Sequence, residues 1–340
     1  MPGRLHFLNY PQVPAVDRLV HDMPPALEHH TGCIATPRRH LPGSQFTGCL
    51  YANDGRLVRL SQRPSSGAAF QPVDPAIIEA GSVPASVETA RSIYLGNFFL
   101  HFGHFLLESL SRLWAVESLG QSFEAYYFHA WEGTPDRRWL DIEFVATCLA
   151  ALGIPAERVR FIPESGLVLA DCVVPQQLFE VNRHASRRFG GLLSEITDRA
   201  RAAPSAGLGA PAERVYLSRV RQTRRAENED AIERIFQEAG FDIVIPEELP
   251  FLRQVAIAAG ARMLAGCAGS NMHLAAFAER AVIVSLDHRL VRNQLILDAL
   301  REHDAYHVWV PQGQPGRDRW IVDEALVGAA LAQVLGPTHA

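Results

Sequence analysis

The sequence predicts an α/β protein in two domains, and three observations carry that reading. From residue 214 to residue 310 short apolar runs alternate with amphipathic stretches, the pattern of βαβ units around a parallel sheet. The chain has 340 residues, about twice the length of an ordinary domain. Between the two halves, Ala202–Ala212 (AAPSAGLGAPA) holds Leu208 as its one large apolar side chain, the composition of a linker. The expected domains are residues 1–203 and 213–340, with 204–212 as the linker.

Residues 1–90 are rich in Pro and His, with short apolar runs such as Cys49–Tyr51 and Leu57–Leu60. They read as an irregular, β-rich segment of short strands and loops. Residues 97–119 give the first strong helix signal. Residues 141–152 read as a second helix, ended by Gly153 and followed by Pro155. Val159–Ile162 and Val168–Val174 read as short buried strands, and Arg187–Arg201 as a helix. Beyond the linker, strands are expected at Arg214–Ser218, Phe241–Ile245, Arg262–Ala265, Ala281–Leu286 and His307–Val310. Helices at Asn228–Ala239, Pro250–Ala259, Ser270–Ala278 and Val291–Leu300 separate them, and Glu324–Leu335 closes the chain as an amphipathic helix.

Composition narrows the function classes. At 48% hydrophobic and 20% charged residues the chain is globular rather than disordered. A net charge of −5 argues against a protein that coats nucleic acid. All 32 cationic side chains are Arg, which excludes a P-loop lysine, a Schiff-base lysine and a Ser/Lys pair. It leaves the forked guanidinium as the permanent cation for phosphate. The five cysteines are scattered and never spaced C-x-x-C, so neither a zinc knuckle nor a disulfide framework is expected, and a reducing compartment is. Met1–Tyr10 lacks the apolar run of a signal peptide. The apolar stretch Val255–Phe277 is broken by Arg262, Asn271 and His273 and reads as core rather than a membrane span. A cytoplasmic location is expected, with peripheral membrane association left open.

Three motifs carry chemistry. In the first, His101, His104, Glu108 and Arg112 are spaced by three, four and four residues, one stripe on a helix. Phe105, Leu106, Leu107, Leu110 and Leu113 cover the remaining circumference, so the stripe is expected to line an internal cleft. The structural alternative pairs Glu108 with Arg112. A zinc site is a weak rival, since HxxH with a Glu four residues on is not the H-E-x-x-H arrangement and no third ligand is evident; a metal-dependent hydrolase using His101, His104 and Glu108 is the third reading. The second motif is Tyr216-Leu217-Ser218-Arg219, followed by Arg221, Arg224, Arg225, Asn228 and Glu229. Such an Arg-rich turn at the carboxyl end of a strand is where α/β domains bind ligands. The third is Gly266-Cys267-Ala268-Gly269-Ser270-Asn271, a glycine turn between a strand and a helix whose free N–H groups favour an anion.

The series Tyr216-Leu217-Ser218-Arg219, Arg225 with Asn228-Glu229, Gly240-Phe241, Pro246-Glu247, Phe251 with Gln254, then Gly266-x-x-Gly269, resembles the signature blocks of glycosyltransferase family 61. Gly103-His104-Phe105-Leu106-Leu107-Glu108-x-Leu110-x-Arg112-Leu113-Trp114 is similar to that family's other block. The resemblance spans roughly residues 95–290. It implies a GT-B-like fold, with two Rossmann-like domains facing across a cleft, and inverting, metal-independent transfer from a nucleotide sugar. Bacterial relatives tend to act in capsule or surface polysaccharide synthesis. One departure stands out: many members have a His where this chain has Ala268, and Asn is common where it has Leu274. His273 is the nearest replacement.

The residues agree with that implication. No D-x-D occurs, so the diphosphate charge would fall to Arg and a helix N-terminus. Glu108 is the first choice of base for the acceptor hydroxyl, and His104 either replaces it or orients it. Donor contacts are expected from Ser218, Arg219, Arg225, Asn228, Glu229, Gly266, Gly269, Ser270 and Asn271, and further substrate contacts from His101 and Arg112. The expected partners are a nucleotide-sugar donor, a UDP-sugar first, and a glycan acceptor; no cofactor and no nucleic acid are expected. The alternative is a nucleotide-sugar-binding or scaffolding protein of a polysaccharide assembly with its turnover weakened.

Overall fold

A computed structural model of the chain describes residues 3–38, 40–41, 45–46, 48–64, 84, 86–120, 123–131, 133–202, 212–311 and 319–336. The described residues form a mixed α/β structure in two compact units. One is His21–Leu192; the other joins Met1–Val20 to Leu193–Ala340.

The 214–310 segment folds as its alternation predicts. Strand β1 (Leu5–Leu8) is joined there by β8 (Arg214–Leu217), β9 (Asp242–Val244), β10 (Met263–Cys267), β11 (Val282–Asp287) and β12 (Asp304–Trp309). They form one sheet in the order β1-β12-β11-β10-β8-β9, and every pairing is parallel. Leaving β1 aside, the spatial order is second, first, third, fourth, fifth, a doubly wound arrangement whose switch point lies between β8 and β10. Tyr216, Ile232, Phe236, Ala265, Val284 and Trp320 are among the residues that fill its core. Apolar strands buried on both faces, connected by amphipathic helices, can be buried only this way.

The sequence places residues 1–20 in the N-terminal domain, whereas β1 pairs with β12 at the edge of the C-terminal sheet. Stacks of His6 on Tyr306 and Phe7 on His307 and the 2.8 Å contact of His6 Nε2 with Asp304 hold it there. A four-residue strand carries no signal of its partner. Ser270–Phe277 is a 3₁₀-helix. The linker expected at 204–212 lies outside the described residues except for Ala212.

In the other unit, β2 (Leu27–Ala35), β3 (Leu50–Tyr51), β4 (Val87–Phe98), β5 (Ala125–Ala130), β6 (Val159–Phe161) and β7 (Leu167–Pro175) make a sheet in the order β3-β2-β7-β4-β5-β6. β7, β4, β5 and β6 run parallel, and β2 and β3 add antiparallel at one edge. The sequence reading did not separate β4 and β5 from their surroundings. The parallel part has its own switch point between β4 and β7. Phe98, Phe128 and Phe161 lie toward the carboxyl ends of three neighbouring strands, with the Phe98 ring centroid 5.3 Å from each of the other two, and Phe105 packs on Phe98 at 5.6 Å. This cluster seats the segment after β4 on the strand ends.

That segment is not the continuous helix expected over 97–119. β4 runs to Phe98. One α-turn at Phe102–His104 passes into π-helical Phe105–Ser109, where the N–H of Leu110 reaches the carbonyl of Phe105. Regular α-helix resumes at Trp114–Leu119. A π-turn inserts one extra residue, so a three-four-four spacing no longer marks one face.

Candidate functional site

The irregular turn divides the expected stripe. His101 is exposed at the head of the helical segment, with its ring edge-on to His104 at 5.7 Å. Glu108 is 2% exposed, whereas the His104 side chain is 44% exposed. Nδ1 of His104 lies 2.6 Å from Oε1 of Glu108. The expected partner Arg112 does not meet Glu108. Arg63, 45 residues upstream, does: its Nε donates to Oε2 and its Nη2 to Oε1 at 2.7 Å, a bidentate clasp. Nothing in the local sequence signals Arg63, because its meeting with Glu108 is set by the fold of the intervening chain.

The electrostatics follow from these partners. Burial pushes the Glu108 carboxyl up, but the hydrogen bonds from His104 and Arg63 outweigh it and hold its pKa below the ordinary value. Glu108 is therefore an ionised acceptor with both oxygens engaged. An ionised carboxylate only accepts, so Nδ1 of His104 carries the hydrogen on this bond and Nε2 is the ring nitrogen left for other partners. The ring lies on Phe99, centroids 5.2 Å apart, and Phe99 in turn packs on Trp131 at 4.6 Å. The arrangement is an oriented imidazole on a half-exposed side chain.

Arg112 is fully buried and serves as a strut. Its Nη1 donates to the carbonyls of Leu60 and Pro175, and its Nη2 to that of Gln62 at 2.9 Å. Among the described residues its Nε has no hydrogen-bond partner. Gly96 makes this fit, since a Cβ there would lie 2.8 Å from that Nε and the residue holds φ +83°.

In the C-terminal unit the two remaining motifs meet at the β8/β10 switch point. The Arg219 guanidinium, 5% exposed, donates from Nη1 to Oδ1 of Asn271 at 2.8 Å, and from Nε and Nη2 to the carbonyl of Arg224 at 3.0 and 2.7 Å. It ties the Arg-rich turn to the glycine turn. Gly269 is required for this: a Cβ would lie 1.7 Å from Nη1 of Arg219. Asn271 also donates to the carbonyl of Leu217, and Gly266 is walled by Met272 and Leu217. Glu229, buried, accepts from the Tyr216 hydroxyl at 2.9 Å and the Arg219 N–H at 3.0 Å, and burial raises its pKa. Ser218 donates to Glu233 at 2.5 Å, and Asn228 is bonded to Val322 and Glu324. Arg225 donates to the carbonyl of Val220. Thus Ser218, Arg219, Gly266, Gly269 and Asn271 build the turns, while Arg225, Asn228 and Ser270 are their partly exposed members.

His273, named from sequence as the nearest stand-in for a His at 268, is 5% exposed, with Nδ1 3.1 Å from Oε1 of Gln294. His288, at the carboxyl end of β11, stacks on Trp320 at 3.5 Å, and burial and two nearby Arg lower its pKa to about 4. No motif in the sequence marks His288. Among the described residues no group of three or more His, Cys, Asp or Glu is arranged to hold a metal ion. The five cysteines are buried and free. Among the described residues no helix is long and apolar enough to cross a membrane.

A doubly wound unit with an Arg-rich turn and a glycine turn at its switch point, in a chain that also carries an oriented imidazole, fits a group-transfer protein of α/β class. The family model for Glycosyltransferase 61 matches residues 102–284, just over half of the chain. The chain belongs to glycosyltransferase family 61. Membership supports a transferase with a sugar donor and an acceptor as partners. A search of curated proteins found no match.

Proposed function

We propose that the protein is an inverting, metal-independent glycosyltransferase that moves a sugar from a nucleotide-diphosphate donor, a UDP-sugar first, to a glycan acceptor. The observation that carries the reading is the half-exposed His104 ring, fixed through Nδ1 by the buried, ionised Glu108. Nε2 of His104 takes the proton of an acceptor hydroxyl. The hydroxyl oxygen bonds to the anomeric carbon as the bond to the diphosphate oxygen breaks, and the diphosphate leaves with the charge. Glu108, the first choice of base from sequence, becomes the residue that orients His104 and stabilises its protonated form, because its own oxygens are already engaged.

Donor binding belongs at the β8/β10 switch point, with Arg225, Asn228 and Ser270 toward the ligand and Arg219 holding the two turns together. The GT-B-like reading is supported by a six-stranded sheet with a run of parallel strands in each unit. A role in polysaccharide synthesis in the cytoplasm rests on the resemblance alone.

The test is a turnover screen of nucleotide sugars with wild-type protein and His104→Ala. Release of nucleoside diphosphate by wild type and its loss in a folded His104→Ala protein is the expected result. Nucleotide-sugar binding without turnover by wild type would favour the scaffolding alternative.

A further inference from the structure

The His21–Leu192 unit holds a cavity of about 290 Å³ to which the scheme above assigns no ligand. Four of its lining residues are Arg59, Arg63, Arg112 and Arg183, and one is acidic, Glu180. Arg63 is neutralised by Glu108, and Arg183 by Glu180 at 2.7 Å. Arg59 and Arg112 make no ion pair among the described residues, so the wall carries two uncompensated positive charges. Arg112 is 1% exposed, and its three acceptors are neutral carbonyls. A buried guanidinium without a counter-ion is costly, and an anion in the cavity would relieve that cost.

The location is an independent argument. Gln176 and Gln177, also in the wall, directly follow Pro175 at the carboxyl end of β7, and Arg112 lies on the segment that leaves β4. The cavity therefore opens at the β4/β7 switch point, where parallel sheets bind ligands. Its volume is at the lower end for ligand pockets of about 300–1,000 Å³, room for one sugar-sized group.

We infer that this arginine-lined cavity binds an oxyanion group of the acceptor, a carboxylate or a phosphate on a sugar. The inference rests on the transferase reading, because it names the acceptor's chemistry. Arg63 joins the two sites: it lines the cavity and clasps the carboxylate that orients His104. An anion seated there lies next to the guanidinium that clasps Glu108.

Calorimetry on the full chain at constant ionic strength tests this, with inorganic phosphate, glucuronate and glucose as probes. Saturable binding of phosphate or glucuronate, and none of glucose, is expected; which anion binds distinguishes a phosphorylated from an acidic acceptor. Arg59→Glu, a substitution at an exposed position, should weaken that binding at least about tenfold without lowering the melting temperature. Arg183→Gln is a second variant with the same expectation. Absence of binding, equal binding of glucose, or unchanged affinity in both variants would overturn the proposal. UDP binding measured in parallel separates the two readings. UDP bound without phosphate or glucuronate sinks the cavity alone. Phosphate or glucuronate bound in an Arg59-dependent way, with no UDP bound, sinks the transferase reading.

Discussion

Nδ1 of His104 lies 2.6 Å from Oε1 of Glu108 across a π-helical turn, and Arg63 holds the carboxylate from the other side. One member of this chain is half-exposed and the other buried, so their substitutions should separate chemistry from folding.

His104→Ala should lower transfer by about 10²-fold or more, the size of a general-base contribution, with the melting temperature near wild type. Glu108→Gln should lower transfer too, and should also destabilise the protein, because the Arg63 guanidinium, 15% exposed, loses its counter-charge. Steady-state kinetics and thermal melts of both variants decide the assignment. Full turnover in folded His104→Ala would remove His104 from the base role.

Gly269→Ala should destabilise the C-terminal unit by about 1–3 kcal/mol, the range for overpacking, because the new methyl group collides with the Arg219 guanidinium. Arg219→Ala should be destabilising as well, since Asn271 and the Arg224 carbonyl lose their donor. The two changes share one space, so the double variant should be clearly more stable than the sum of the singles implies. Urea unfolding of the four proteins measures the coupling.

Stability should fall as pH rises from about 6.5 to about 10. His307 is buried between two carboxylates, with Nδ1 3.0 Å from Asp287 and Nε2 3.0 Å from Asp298. Burial alone would lower its pKa, but the two carboxylates raise it to about 10. The folded state therefore keeps a proton that the unfolded chain, near 6.5, gives up. The contribution is fully present below 6.5 and is lost through the folded value, at up to about 1.4 kcal/mol per pH unit. His307→Gln should flatten that part of the profile, as read by denaturant unfolding at a series of pH values.

UDP should bind equally well with and without EDTA, since the residues at the β8/β10 switch point offer Arg rather than paired carboxylates. Arg221→Gln should change that binding by less than about 1 kcal/mol, because Arg221 is an exposed side chain already paired with Glu248 at 2.7 Å. Calorimetry reads both. Affinity abolished by EDTA would remove the metal-free reading.

The sequence by itself determined the C-terminal sheet. Strands and helices from Arg214 to Val334 lie within a few residues of where the apolar periodicity puts them, because buried parallel strands and amphipathic helices are local patterns. It also singled out His104, Glu108, Arg219 and Gly269. Tertiary structure alone decided what these residues do. The π-turn after Phe105 breaks the 3.6-residue period, so Arg112 turns from Glu108 to three backbone carbonyls, and Arg63 arrives from 45 residues away to replace it. Gly269 reads from sequence as a turn that permits close backbone approach, and the structure shows that the Arg219 guanidinium is one group that approaches it. The first strand joins the last strand of the sheet across almost the whole chain. Spacing encodes which residues share an element; which elements meet is set by the packing of the whole core, and no short stretch of sequence contains it.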